Sequence, residues 1–132
     1  MTESETVPNL HFTVKEYTHR ISNARKQLIY RGLDALLVFS QESHYYLTGF
    51  DTAGYVFFQC AVVTADEQPI TLLTRRPDVQ QAKETSVISD IRVWYDAEGV
   101  NPASQLRDIL SEKGLAGCRV GIELNTYGLT GL

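Results

Sequence analysis

The stretch richest in side chains that could bind a ligand covers residues 43–51 and reads Ser-His-Tyr-Tyr-Leu-Thr-Gly-Phe-Asp. It follows an apolar segment, residues 35–39, whose composition is typical of a strand buried on both faces. Open α/β sheets bind ligands in crevices at the carboxyl ends of their strands, so this loop or short helix lies where a binding site is expected. The alternative is that its aromatic side chains only cap the core.

The residues that usually carry catalysis are spaced without a recognisable pattern. The three histidines and two cysteines lack the spacing of metal ligands, and His44 is the one histidine placed to face a ligand in the aromatic stretch. Ser40 and Ser43 lack the glycine-flanked turn of a serine nucleophile, and the glycines form no phosphate-binding fingerprint. The sequence alone therefore predicts neither catalytic residues nor metal ligands in this chain.

Composition excludes several classes of partner. The 132 residues carry a net charge of −4 and contain no basic run that could neutralise phosphates, which argues against nucleic acid and anionic membranes. No apolar segment approaches the length of a membrane span, and the polar N-terminus is not a signal peptide. Cys60 and Cys118 lie in apolar runs, which is typical of buried cysteines in a reducing compartment, so we predict a cytoplasmic protein.

A long helix is predicted from Thr13, which forms a capping box with Glu16, to Gly32, which ends it in a left-handed conformation. Arg20 and Arg25 fall off its apolar stripe and are expected on a solvated face. Residues 1–12 are expected to form a flexible tail. The residues of the predicted buried stripe are Val14, Tyr17, Ile21, Ala24 and Leu28.

The remaining pattern predicts a hairpin of strands 55–64 and 70–74, a short helix after Pro77, and strands at 91–95 and 119–123. A second clear helix runs between Asn101 and Gly114. This order favours an α/β fold, a mixed five-stranded sheet with helices on both faces and a ribonuclease H-like motif, over residues 13–132. The last residues read as part of a connection, so we expect a longer chain to follow.

The ribonuclease H-like order raises the possibility of a two-metal nuclease, which needs several carboxylates converging on one site. Such an enzyme should carry a carboxylate in the middle of its first strand, but residues 35–39 have none. The chain also lacks basic runs that could form a groove. The sequence therefore disfavours this interpretation. The acidic candidates for such a site are Asp34, Glu42, Asp96 and Glu123.

Several motifs occur in an order that resembles a known family. They are Arg-Gly-Leu-Asp at 31–34, Ala-Leu-Leu-Val at 35–38, the motif at 43–50, the hairpin, and Arg-Val-Gly-Ile-Glu at 119–123. From about residue 12 onward the chain resembles the N-terminal domain of creatinase, prolidase and aminopeptidase P, the pita-bread hydrolases. The resemblance implies a mixed α/β domain without metal ligands. In the peptidases of this family two aspartates, a histidine and two glutamates of a following domain hold two metal ions, and here that catalytic domain is expected beyond residue 132.

The resemblance also implies a role. The family's N-terminal domain supports homodimerisation and places side chains over the active site of the partner subunit. The full-length protein would be a metallopeptidase or related hydrolase that cleaves a C–N bond, with two divalent ions (Mn, Co or Zn) outside this chain and no cofactor within it. Its substrate would be an Xaa-Pro dipeptide, a short peptide with proline second, or a small amide.

By position, the residues that this chain would lend to a substrate site are His44, Tyr46, Phe50, Asp51 and Tyr55. Arg75 and Arg76 at the end of the next strand could bind a carboxylate, because a guanidinium pairs with one through two hydrogen bonds. The alternative is that both are exposed loop charges. Creatinase-like members carry an arginine on the first hairpin strand, and this chain has none there, which argues against a creatine-like substrate. The alternative function is a non-enzymatic peptide-binding or scaffold module of the same fold.

Overall fold

The computed structural model describes residues 8–52, 54, 57–95, 98–99 and 101–123. These ranges contain four α-helices and five strands, which alternate along the chain except that β2 and β3 are consecutive. A short 3₁₀ turn, Arg76–Asp78, leads from the third strand into the third helix. The elements are α1 (Val14–Tyr30), β1 (Ala35–Val38), α2 (Gln41–Thr48), β2 (Cys60–Thr64), β3 (Thr71–Arg75), α3 (Val79–Thr85), β4 (Asp90–Trp94), α4 (Pro102–Glu112) and β5 (Val120–Ile122).

The strands form one mixed sheet in the order β4-β3-β2-β1-β5. The central strand, β2, is antiparallel to both β1 and β3, whereas β4 is parallel to β3 and β5 is parallel to β1. Four strands therefore end at the same edge of the sheet, which we call the carboxyl edge. The structure confirms the predicted mixed five-stranded sheet.

Each face of the sheet is covered by helices. On one face Leu28 of α1, Leu47 of α2 and Ala82 of α3 pack against the strands. On the other face Leu106 and Ile109 of α4 pack against them. Successive residues of a strand point to opposite faces, which is why an uninterrupted apolar strand such as β1 can serve both cores.

α1 and α4 both end at a glycine with positive φ, as predicted. Gly32 has φ 68°, its N–H donates to the carbonyl of Ile29 (3.0 Å), and the N–H of Leu33 donates to Leu28 (2.9 Å). This is a Schellman motif, and the same pair of hydrogen bonds recurs at Gly114 after α4. Both helices therefore turn into the sheet through the same local structure.

The predicted strand 55–64 is shorter in the structure, where β2 begins at Cys60. Tyr55 lies outside the described residues, and residues 57–59 are not part of the ladder. The carbonyl of Phe58 accepts a hydrogen bond from the indole N–H of Trp94 (2.8 Å), and the side chain of Gln59 bonds to neighbouring threonines. The aromatic side chain of Phe58 therefore packs against the core without pairing in the sheet.

The expectations for Val14 and Arg25 of α1 and for Cys118 of the last described loop are wrong. Val14 is 60% exposed, although it follows the helical spacing of the stripe. Arg25 is only partly exposed, and it donates to the carbonyls of Thr64 (3.2 Å) and Gln68 (2.6 Å) beside the β2–β3 turn. Cys118 is exposed, whereas Cys60 is buried as predicted.

The end of the expected N-terminal tail contacts the domain. The N–H of Asn9 donates to the carbonyl of Glu84 at the end of α3 (2.6 Å), and the ring of Phe12 lies under the guanidinium of Arg20 (4.4 Å). Residues 1–7 lie outside the described ranges. Among the helices that the structure describes, none is long and apolar enough to cross a bilayer.

Candidate functional site

The aromatic stretch is carried by α2, which follows β1 after a connection of two residues and therefore begins at the carboxyl edge. The hydroxyl of Ser40 accepts from the N–H of Ser43 (3.4 Å), and Gly49 ends the helix with φ 84°. A Cβ at Gly49 would lie 2.6 Å from the carbonyl oxygen of Thr85 and 2.9 Å from the hydroxyl of Tyr17. Only glycine fits this turn, so its position is fixed by packing as well as by backbone conformation.

Two of the predicted site residues, His44 and Phe50, are fully buried. Their rings meet edge to face with centroids 5.5 Å apart, and the Nε2–H of His44 donates to the carbonyl of Gln59 (3.3 Å). Burial lowers the pKa of His44 to about 4, so the ring is neutral at physiological pH. Both side chains belong to the interior, and the prediction that they line a substrate site gains no support from the structure.

Tyr46 points outward and is 55% exposed. The guanidinium of Arg20 lies 4.5 Å from the centre of its ring, and Arg20 also donates to the backbone carbonyl of Tyr46 (3.0 Å). An ion pair with Glu16 one turn earlier holds the guanidinium from the α1 side. The prediction that Arg20 lies in solvent is wrong. Its guanidinium links α1 to α2, because the contacts with Tyr46 replace water around the charge.

Asp51 follows the glycine turn and is exposed. Its backbone N–H donates to the hydroxyl of Thr85 (3.0 Å), which ties the turn to the end of α3. The carboxylate is therefore presented to solvent from a fixed backbone. Tyr55, the fifth predicted residue of this group, lies outside the described ranges.

Arg75 ends β3 at the carboxyl edge. The central carbon of its guanidinium lies 3.5 Å from the centre of the Phe57 ring, and its Nε lies 3.6 Å from the carboxylate of Asp78. A Cβ at Gly54 would lie 2.7 Å from either carboxylate oxygen of Asp78, so a larger residue there would have to displace this carboxylate. The side chain of Arg75 is 22% exposed. The result is a cation held between an aromatic face and a buried carboxylate.

A buried polar network holds the segment that carries Phe57. The hydroxyl of Thr52 donates to the amide oxygen of Gln59 (2.8 Å), and the amide nitrogen of Gln59 donates to the hydroxyl of Thr74 on β3 (3.1 Å). The N–H of Gly54 donates to Thr52 in turn (3.0 Å). Buried polar groups that are satisfied in this way hold Thr52, Gly54 and Gln59 in place, on either side of Phe57 in the chain.

The described residues do not fit a metal centre. Among them, no three His, Cys, Asp or Glu side chains lie close enough together to hold an ion.

Residues 20–131 match the family model of the creatinase/prolidase N-terminal domain. The chain belongs to this family. It is 28% identical over 126 residues to ectoine hydrolase of Halomonas elongata, and 24% identical over 127 residues to an uncharacterized hydrolase/peptidase of Sinorhizobium fredii. These alignments cover 90% and 92% of this chain but 31% and 32% of the relatives. The chain therefore spans about a third of the length of the curated relatives it matches.

Solved structures agree with this assignment. A dipeptidase from Pyrococcus horikoshii superposes with a TM-score of 0.65 at 28% identity, over 79% of this chain and 28% of that chain. The N-terminal domain of the cytoplasmic peptidase PepQ from Mycobacterium tuberculosis gives 0.56 at 20% identity, over 80% of this chain and 91% of that chain. The second likeness shows the fold alone, and it confirms that this fold is the one predicted from the motifs.

Proposed function

We propose that residues 13–132 form the non-catalytic N-terminal domain of a metal-dependent hydrolase that cleaves a C–N bond, either an Xaa-Pro dipeptidase or aminopeptidase or a related amide hydrolase. The family match and the hydrolase relatives, about three times as long as this chain, support this proposal. The two divalent ions, Mn, Co or Zn, would be held by the catalytic part of the protein. We place the protein in the cytoplasm as a homodimer.

Within this proposal the carboxyl edge covers the active site of the partner subunit. The observation that carries it is the guanidinium of Arg75, held 3.5 Å above Phe57 and still partly open to solvent. A guanidinium fixed by stacking keeps its outer N–H groups free to bind a carboxylate in a bidentate manner. Arg75 would bind the carboxylate of a short peptide, and Tyr46 and Asp51 would border the same site.

The experiment uses the full-length protein and two substrates, a dipeptide and its C-terminal amide, which lacks the carboxylate. Arg75→Gln should raise KM for the dipeptide about tenfold or more, because a hydrogen bond to a charged group is worth at least that factor. It should leave KM for the amide nearly unchanged. Arg107→Gln, at an exposed position of α4, is the control and should change neither. Equal effects on both substrates would contradict carboxylate binding.

Subunit mixing tests whether the arginine acts across the dimer. Arg75→Gln subunits are mixed with subunits that carry Arg75 and an inactivated catalytic domain. If Arg75 acts on the partner's site, the mixed dimers regain the low KM, because an intact Arg75 then faces an intact catalytic centre. A KM that stays high in the mixed dimers would place Arg75 on its own subunit's site.

The second candidate function is peptide binding without hydrolysis. Tyr46, Phe57 and Tyr95 are exposed aromatic side chains, and such side chains are frequent in peptide-binding surfaces. Under this alternative the full-length protein binds proline-containing peptides by calorimetry but releases no product after Mn, Co or Zn is added. Turnover under those conditions favours the hydrolase.

A further inference from the structure

Glu123 directly follows β5, and its carboxylate accepts three hydrogen bonds from the β1–α2 connection and the first turn of α2. Oε1 accepts from the backbone N–H groups of Phe39 (2.8 Å) and Ser40 (3.0 Å), and Oε2 accepts from the hydroxyl of Ser43 (2.7 Å). Each donor is at least 80 residues away in the sequence. The carboxylate therefore links two distant parts of the chain and is not part of a local turn.

These contacts complete the N-terminal cap of α2. In a capping box the third helical residue is a glutamate or glutamine whose side chain returns to the N–H of the N-cap residue. Here Ser40 is the N-cap, and the third residue, Ser43, bonds to the N-cap hydroxyl through its own N–H. Glu123 accepts from the Ser40 N–H in place of the missing glutamate, and its negative charge lies at the positive end of the helix.

The same carboxylate also extends the pairing of β1 and β5. The last paired residues are Leu37 and Ile122, and the N–H of Glu123 makes one further bond to the carbonyl of Leu37 (3.3 Å). Beyond this pair, the side chain of Glu123 accepts the hydrogen bond from the Phe39 N–H. In a longer strand a backbone carbonyl would accept it instead. A charged acceptor makes a stronger hydrogen bond than a carbonyl.

We infer that Glu123 is a positioning residue, which holds the first turn of α2 on the end of β5 and thereby sets the place of Tyr46. A notch of about 310 Å³ is bordered by Glu123, Ser43 and Tyr46, and Leu36 and Val38 of β1 also line it. Tyr46 lies one helical turn after Ser43, so a shift of the first turn moves its ring as well. This inference rests on the proposed function, in which Tyr46 borders the substrate site.

The test compares three variants of Glu123 in the full-length protein. Glu123→Gln keeps the length and one acceptor oxygen, Glu123→Asp keeps the charge but is one methylene shorter, and Glu123→Ala removes both. Glu67→Ala, at an exposed position in the β2–β3 turn, is the control. Hydrogen exchange of the Phe39 and Ser40 amides reports the contact, and KM and kcat for a dipeptide report the position of Tyr46.

In Glu123→Ala the two amides should exchange about tenfold faster or more, because each loses a hydrogen bond to a charged group. KM should rise by a similar factor with kcat changed less than about twofold, as expected for a residue that shapes binding alone. Glu123→Gln should restore both readouts only in part, because its amide oxygen can replace Oε1 as an acceptor but carries no charge. Glu67→Ala should leave both unchanged.

Unchanged exchange at Phe39 and Ser40 in Glu123→Ala would overturn the inference. Faster exchange with unchanged KM in every Glu123 variant would overturn it too, because α2 would then move without moving a binding residue. If Glu123→Ala does not fold, the same measurements on Glu123→Asp test the inference, because its shorter side chain does not reach all three donors. The Arg75 variants decide the proposed function separately, so a failure of one is distinguishable from a failure of the other.

Discussion

Replacing Phe50 by alanine distinguishes a core role from a surface role for the aromatic stretch. The ring is fully buried among Leu47, Leu72 and Ile88, and it meets His44 edge to face. Truncating a buried phenylalanine to alanine costs about 3–5 kcal/mol, from lost transfer free energy and the cavity left behind. The aromatic contact adds about 0.5–1.5 kcal/mol and moves the expectation to the upper half of that range.

The assay is urea denaturation of wild type, Phe50→Ala and Tyr30→Ala. Tyr30 is 86% exposed on α1, so its truncation should change the free energy of unfolding by no more than about 0.5 kcal/mol. The two aromatic truncations should therefore differ by at least about 2.5 kcal/mol, with similar dependence on urea. A loss below about 1.5 kcal/mol for Phe50→Ala would refute its place in the core and would favour the substrate-lining role predicted from sequence.

Three further predictions concern pH, backbone conformation and one partly buried arginine. Because the pKa of His44 is about 4 in the folded chain and 6.5 is its ordinary value, the unfolded chain binds more protons between those values. Stability should fall by up to about 3 kcal/mol as pH drops from 6.5 to 4, and denaturation of His44→Gln should show a flatter profile. Gly49→Ala should cost about 1–3 kcal/mol more than Gly117→Ala by thermal denaturation, since both have positive φ but only Gly49 has close neighbours. Arg25→Gln should cost about 1.5–3 kcal/mol in urea denaturation, because it leaves two carbonyls beside the β2–β3 turn without their charged donor.

The sequence predicts the fold well where a local rule determines the structure. Gly32 and Gly114 end helices through backbone conformations that glycine alone adopts easily, and Asn101 caps α4 through its own side chain. The uncharged run of β1 is the composition of a strand covered on both faces, and the two helix-covered cores confirm it. These features depend on residues a few positions apart, so they are visible in the sequence.

Features that depend on distant contacts were missed. Helical spacing placed Val14 in the core and Arg20 in solvent, but Phe12 and Tyr46 surround the guanidinium of Arg20 instead. Composition extended the first hairpin strand to residue 55, although Gln59 bonds to side chains and not to the ladder. Side-chain networks of this kind carry no periodic signal.

The candidate site shows the same limit. From the sequence, Glu123 is a candidate metal ligand of a nuclease. No neighbouring residue indicates that it caps α2. The one available signal was the serine at position 43, where a capping box would have a glutamate. Tyr46, Asp51 and Arg75 were predicted from their places after strands, and they lie at or near the surface. The same criterion also selected His44 and Phe50, which are buried.

β5 pairs with β1 but is synthesised more than 80 residues later, which affects folding during synthesis. β1, β2 and β3 are consecutive and can pair once residue 75 has been synthesised. The other edge of β1 stays unpaired until residues 120–122 have been synthesised. Until then an uncharged Ala-Leu-Leu-Val strand presents open hydrogen-bonding groups, which is the kind of edge that pairs with other chains. Fragments that stop before residue 120 should therefore aggregate and not merely lose stability, because the missing strand protects its neighbour.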